Sequence, residues 1–260
     1  MEEIKNVTEI GKNATEVIAQ FYSDIRPIVQ PVAKCIGAVL DIATSPILYY
    51  SEKARDIFKK RLEQYQKKMD GVKEEDRCEV HPEIGAPIMQ VLHYTTNDDI
   101  ADLFTNLLAT ASISSMAGNA HPAFVEFIKH LSPDEAKIIQ YLKSNDVIPY
   151  ISLRAYSKEP DKGFHVPIEK AVSINFEVPM MFPNNVNVYL SNFLSLGILS
   201  DAGYLRLTDD SFYDKVIHYN HLDEEKAQIE SSSNIGKVVL YKGYYKVTDI
   251  GKLFICACCR

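Results

Sequence analysis

Residues Asn97 to Leu142, NDDIADLFTNLLATASISSMAGNAHPAFVEFIKHLSPDEAKIIQYL, constrain this chain more than any other stretch, because helix boundaries are written into them. Asn97 is a good N-cap, and Asp98 and Asp99 put negative charge at the positive end of the helix that follows. Ile100, Leu103, Phe104, Leu107, Leu108 and Ala111 recur at steps of three and four, which predicts one apolar stripe. Gly118 predicts a left-handed stop. His121-Pro122 opens a second helix, with Pro122 at the first helical position and Ala123, Phe124, Phe127, Ile128 and Leu131 on its buried face. Ser132-Pro133-Asp134-Glu135 is a capping box for a third, in which Ala136, Ile139 and Leu142 face inward, flanked by Ile138 and Tyr141. Three short-linked helices with matching stripes are expected to pack together as the stability core.

Two phrases in this stretch, LFTNLLATA and HPAFVEFIKHLSPDEAKII, resemble the core of the abortive infection alpha (Abi-alpha) family, a bacterial domain without a defined biochemical activity. EVHPEIGAPIMQVLHYTTNDDIADLF at Glu79–Phe104 and YLSNFLSLGIL at Tyr189–Leu199 fit the same family. The resemblance covers the middle half of the chain well and both ends loosely. It implies a part in phage defence and assigns no catalytic residue.

A net charge of −7 argues against a general nucleic-acid binder, whose footprint is usually basic. The start, MEEIKNVTEIGKN, has acidic residues and no apolar h-region, so no signal peptide is expected. Five cysteines, Cys35, Cys78, Cys256, Cys258 and Cys259, fit a reducing cytosol. The expected location is therefore cytoplasmic, with a peripheral membrane position as the alternative. The terminal Cys256-Ala257-Cys258-Cys259 lacks a second pair of zinc ligands and fails the prenylation pattern, so these cysteines are expected to pack as small hydrophobes.

Residues Met1 to Tyr22 read as a helix with Ile10, Ala14, Val17, Ile18 and Phe21 on one side. Ile25 to Tyr50 is the most apolar segment, but Lys34 and Asp41 would each cost roughly 2.5–3.5 kcal/mol at a membrane centre. Gln30, Lys34 and Asp41 share one face and Val29, Val32, Ile36, Val39, Leu40, Ala43 and Ile47 the other, which predicts an amphipathic helix. Ser45-Pro46 starts another, running to Met69 with Ala54, Ile57, Phe58, Leu62, Tyr65 and Met69 inward. Its outer face is expected to carry Lys53, Arg55, Lys59, Lys60, Arg61, Lys67 and Lys68. A basic face beside an apolar helix suits either solvent or an anionic membrane, so these seven residues are the candidate membrane or partner surface. Asp70–Glu79 reads as a linker, and Pro82 and Pro87 frame a short helix.

After Leu142 the character changes to strands at Val147–Tyr156, Phe164–Ile168, Tyr204–Leu207 and Lys237–Val247, with helices at Val186–Leu196, within Asp209–Glu230, and from Thr248 onward. The order resembles a winged helix. The fold class expected is mainly α with a C-terminal α+β part: a helical region 1–78, a central unit 79–143 and a winged-helix-like part 144–260. The helix Val186–Leu196 has no lysine or arginine, so tight duplex DNA binding is not expected.

Adjacent carboxylates at Asp98-Asp99, Asp134-Glu135 and Asp209-Asp210 all stand at helix starts, where capping explains them. His218 and His221 have metal-ligand spacing but need a third ligand, for which Asp214 or Glu225 could serve. No cofactor motif is present. The expected function is a non-enzymatic interaction protein, with a protein partner or self-association. The alternatives are a membrane effector using 25–69 and a winged-helix DNA regulator.

Overall fold

The computed structural model describes residues 2–37, 52–203 and 205–260. Contacts divide the chain into a first unit, Met1–Ala136 with Leu253–Arg260, and a second, Lys137–Lys252. The division is thus two-part, and residues on both sides of position 78 build one unit.

The first unit is helical. Helix α1, Glu2–Val29, runs past the expected end at Tyr22 because Phe21, Ile25 and Ile28 continue a buried stripe at steps of four and three. Ile18 lies off that stripe and is exposed. A 3-10 turn, Gln30–Val32, leads into a further helical segment, 33–37, burying Val32, Cys35 and Ile36. The rest of the amphipathic segment, Val39 to Tyr50 with Asp41, lies outside the described residues. Helix α2, Glu52–Met69, buries Ala54, Phe58, Leu62, Tyr65 and Met69 as its period requires, and Phe58 meets Phe21 at 6.3 Å between ring centroids.

The expected linker is a strap. The Arg77 guanidinium donates to the carbonyls of Val72, Met69 and Pro31, and Lys34 Nζ donates to Glu74 O at 3.1 Å. Cys78 N donates to Ser112 O, and Val80 N to Cys35 O, each at 2.9 Å. Charge and glycine content signalled exposed side chains correctly but carried no information on where the backbone pairs.

Helix α3 is Pro82–Leu92, with Pro87 inside it. Helix α4, Asp98–Ala111, is capped as read: Asn97 Oδ1 accepts from Ile100 N at 3.0 Å. It is enclosed on nearly every side, so its polar residues need internal partners. Asn106 Nδ2 donates to Cys258 O and Thr110 Oγ1 to Ala257 O, both at 2.8 Å. It ends at the C-cap Ser112, whose hydroxyl donates to Leu108 O at 2.7 Å. Gly118 is not the stop; it sits in a 3-10 turn, Ala117–Asn119, without a positive φ. Helix α5, Ala123–Lys129, begins after Pro122, and His121 Nδ1 accepts from Ala123 N. The capping box of α6, Pro133–Leu142, is formed in both directions: Glu135 N donates to Ser132 Oγ at 3.3 Å and Ser132 N to Glu135 Oε2 at 2.6 Å.

The second unit is a four-stranded antiparallel sheet of order β2-β1-β4-β3: β1 Val147–Ser157, β2 Phe164–Val172, β3 Leu199–Asp201 and β4 Ile235–Val247. Helices α7, Ile174–Glu177, and α8, Val186–Ser195, connect β2 to β3. Helices α9, Ser211–Tyr219, and α10, Leu222–Glu230, fill the connection from β3 to β4. The strand expected at Tyr204–Leu207 is absent among its described residues, 205–207; the partner of β4 is Leu199–Asp201, immediately after the helix. Thr248, which caps the last helix α11, Asp249–Cys258, accepts from Gly251 N and donates to Gly197 O at 2.6 Å. That close approach demands glycine: a Cβ on Gly251 would stand 2.2 Å from Ile198 O.

Candidate interaction site

Seven basic residues of α2 form the surface singled out from sequence, and the structure separates them. Arg61 is buried, contrary to its expected outward position. All five of its N–H groups are used: Nε and Nη2 donate to Thr95 O, Nη2 also to Thr96 O, and Nη1 to Gln64 Oε1 and Asp98 Oδ1. Helical spacing alone cannot distinguish an arginine at the edge of the stripe from one reaching under it to bare carbonyls at a helix start. Lys60 pairs with the same Asp98 at 2.8 Å and Lys68 with Asp102 at 2.6 Å. Arg55 and Lys59 border a cleft of about 300 Å³ that also holds Asp24, Glu52 and Asp56, so its charge is mixed. Lys53, Lys59 and Lys67 have no carboxylate partner among the described residues. The continuous basic face reduces to three scattered lysines.

The groups weighed for chemistry have structural work. Asp98 is held below the ordinary carboxylate range by hydrogen bonds from Lys60 and Arg61. Glu135 belongs to the capping box, and Asp209 Oδ1 accepts from Ser211 N at 2.9 Å. His218 lies in the last turn of α9, while His221 precedes α10 with φ of 49°, so a bend lies between them. Among the described residues no three His, Cys, Asp or Glu side chains gather as a metal site would require. Cys258 and Cys259 are buried and Cys256 exposed, and burial raises the Cys258 thiol well above its usual value.

A constellation the sequence did not announce crosses all four strands. Tyr150 donates to Asp201 Oδ1 and Lys170 Nζ to Asp201 Oδ2, both at 2.8 Å, while Gly203 N donates to Oδ1 at 2.9 Å. Burial pushes the Asp201 carboxyl up, but these donors outweigh it and leave it below the usual range. Burial and the neighbouring Asp201 drive the Tyr150 phenol far above its ordinary value. Tyr150 lies flat across β4 because Gly243 has no Cβ; one there would meet its ring at 2.4 Å. Lys170 has φ of 49°, with its N–H donating to the buried Ser152 hydroxyl. Each polar atom of this group is satisfied by another, as in a clamp between strands.

Apolar exposure is concentrated elsewhere in the second unit. Phe176, Met181, Phe182 and Val188, drawn from α7, α8 and their connection, are exposed, Met181 at 71% and Val188 at 67%. Phe176 stacks on Tyr219 of α9 at 5.1 Å and 12° between ring planes. Beside Phe176, Glu177 accepts from Lys215 at 2.6 Å and Ser173 at 2.8 Å, on the wall of a cleft of about 470 Å³ that also admits Phe212 and Tyr141. Several exposed rings and apolar side chains within one short stretch are what a protein-binding surface offers. The period of α8 contained this signal, since Val188 falls opposite the buried Tyr189, Leu190 and Phe193.

The chain is thus a helical unit with a capped central helix and an α+β unit. The abortive infection alpha family matches residues 52–258, and the chain belongs to that family. No curated protein matches. A solved structure of an uncharacterized protein from the hydrocarbon-degrading marine bacterium Alcanivorax borkumensis SK2 aligns with 55% of this chain and 94% of its own at 11% identity. Its TM-score of 0.34 is too low to bear on fold or function. Among the described residues no helix is long and apolar enough to cross a membrane.

Proposed function

We propose that the protein acts in an abortive-infection response as a non-enzymatic interaction protein, binding a protein partner through the exposed apolar side chains of α7, α8 and their connection. The observation that carries this reading is the exposure of Phe176, Phe182, Met181 and Val188 in one short stretch, 176–188. Leaving such surface in water forfeits roughly 25 cal/mol for each Å² that a partner would cover. Family membership supplies the setting, and the structural employment of Asp98, Glu135 and Asp201 supports a role without catalysis. The winged-helix-like character of the second unit belongs to the same reading, with α8 as a protein-facing helix because it lacks cations. The alternative membrane surface on α2 is weakened by the intramolecular pairing of Lys60, Arg61 and Lys68.

The test is phage challenge of bacteria expressing the intact chain, Met181→Asp or Val188→Asp. Protection by the intact chain that falls at least tenfold in either variant, with the melting curve unchanged, is the expected result. Variants that protect fully would overturn the assignment of this surface.

A further inference from the structure

The sheet of the second unit has two unlike faces. One is covered: Ile151, Leu153 and Ala155 pack under Tyr213, Val216 and Leu222 of α9 and α10. Those helices carry Asp214, Asp223, Glu224, Glu225 and Glu230 against Lys215 and Lys226, so the covered side is acidic. By strand alternation the other face shows Tyr150, Ser152, Arg154 and Tyr156 of β1, opposite Gly243, Tyr241, Val239 and Lys237 of β4.

Near the β1–β2 turn, cations and rings interleave on that face. The Arg154 guanidinium lies 3.8 Å from the Tyr241 ring centroid and 5.1 Å from that of Phe164. Lys237 Nζ lies 5.1 Å from the Tyr156 ring, and the rings of Tyr156 and Phe164 are 5.2 Å apart. Phe164 is 47% exposed, Val239 40%. Neither Arg154 nor Lys237 has a carboxylate partner among the described residues. Asp201 is engaged with Lys170 towards the other end of the face, where Glu169 also acts on Tyr245.

We infer that this end of the open face binds single-stranded nucleic acid. An unpaired strand presents the two things the surface takes: base π-faces for rings and a guanidinium plane, and phosphates at intervals for cations. A duplex keeps its bases stacked on each other and would leave Phe164 and Tyr156 without a counterpart. The chain's net charge of −7 does not oppose this locally: Lys137–Lys252 holds 13 lysines and arginines against 14 carboxylates. Five of those carboxylates lie on the helices behind the sheet. Two cations predict modest affinity and a shallow salt dependence, with log K falling by about 1.4 per decade of salt.

Fluorescence anisotropy of the full chain with labelled 12-residue oligouridine and oligothymidine, in about 50 mM salt, tests this. Saturable binding to one or both is expected, weaker for a duplex of the same length, and the two oligonucleotides separate RNA preference from DNA preference. Phe164→Ala should weaken binding roughly five- to hundredfold, as loss of a stacking ring does. Lys237→Glu, on the surface and without a carboxylate partner among the described residues, should weaken it and flatten the salt slope. If Phe164→Ala melts abnormally, Lys237→Glu decides. Absence of binding up to about 100 µM, stronger binding to duplex, or indifference to Lys237→Glu would each overturn the inference.

Discussion

Two arginines, one in each unit, show what the character of a surface depends on. Arg61 lies on a helix whose sequence reads as a basic outer face, yet it is buried with every N–H on an acceptor of the first unit. Arg154 lies in a strand that draws no attention in sequence, yet its guanidinium rests on two rings without a carboxylate. The difference is acceptor supply. The connection between α3 and α4 leaves the Thr95 and Thr96 carbonyls without backbone donors within reach of α2, and a guanidinium satisfies both at once. The sheet face has its backbone already paired, so it offers only π-density.

The largest effect should come from the core that both readings share. Leu107→Ala, at a fully buried position of α4, should cost about 2–5 kcal/mol in urea melts. Arg61→Ala should follow at about 2–4 kcal/mol, because it empties the space of a buried side chain and strands the buried Thr95 carbonyl. Arg154→Ala should change stability by less than about 1 kcal/mol; equal losses for the two arginines would abolish the contrast. Ser132→Ala, which opens the capping box, should cost about 0.5–2 kcal/mol.

Acid should distinguish the units in the same way. Burial holds His93 below its ordinary value against the opposing bond to Met89, and its Nε2 has no partner. A neutral buried histidine contributes stability that is present above about pH 6.5 and is lost as pH falls further. Asp201, held low, contributes above about pH 4 and loses that contribution below it. Signals from the first unit should therefore weaken between pH 7 and 5, and His93→Gln should remove that limb; an unchanged profile would exclude His93 as its cause. The smallest effect is expected at Lys53, where alanine should alter stability by less than about 0.5 kcal/mol.

Much of the helical unit was legible because its signals are local. Asn97, Ser132, Glu135 and Thr248 cap the helices that their positions announce, and the stripe of α4 is buried as spaced. Gly118 misled because a glycine permits a left-handed turn without requiring one, and α4 already ends at Ala111. The strap at 72–80 is tied to Lys34, Cys35 and Ser112, and Arg61 to Thr95, Thr96 and Asp98, all 34 or more positions away, which local patterns do not encode. The interleaved rings at Phe164, Tyr156 and Tyr241 come together only through strand register. A bulge shifts that register between Leu153 and Ala155, so alternation alone would not have aligned them.

The hydrogen bonds from Asn106 and Thr110 to the carbonyls of Cys258 and Ala257 bear on the order in which the chain can fold. They join residues 152 and 147 positions apart, and the whole of Lys137–Lys252 lies between the two parts of the first unit. Closing so long a loop adds little equilibrium cost, since the penalty grows with the logarithm of length, but it delays assembly. Until Leu253–Arg260 arrives, the Thr110 hydroxyl of α4 lacks its acceptor, the Asn106 amide has only Asp102, and Phe124 lacks the ring of Phe254 that meets it at 5.3 Å. The helical unit is therefore expected to wait, incomplete and adhesive, while the intervening segment forms its own sheet. A fragment of residues 1–136 should aggregate, and adding a peptide of residues 249–260 in trans should relieve that.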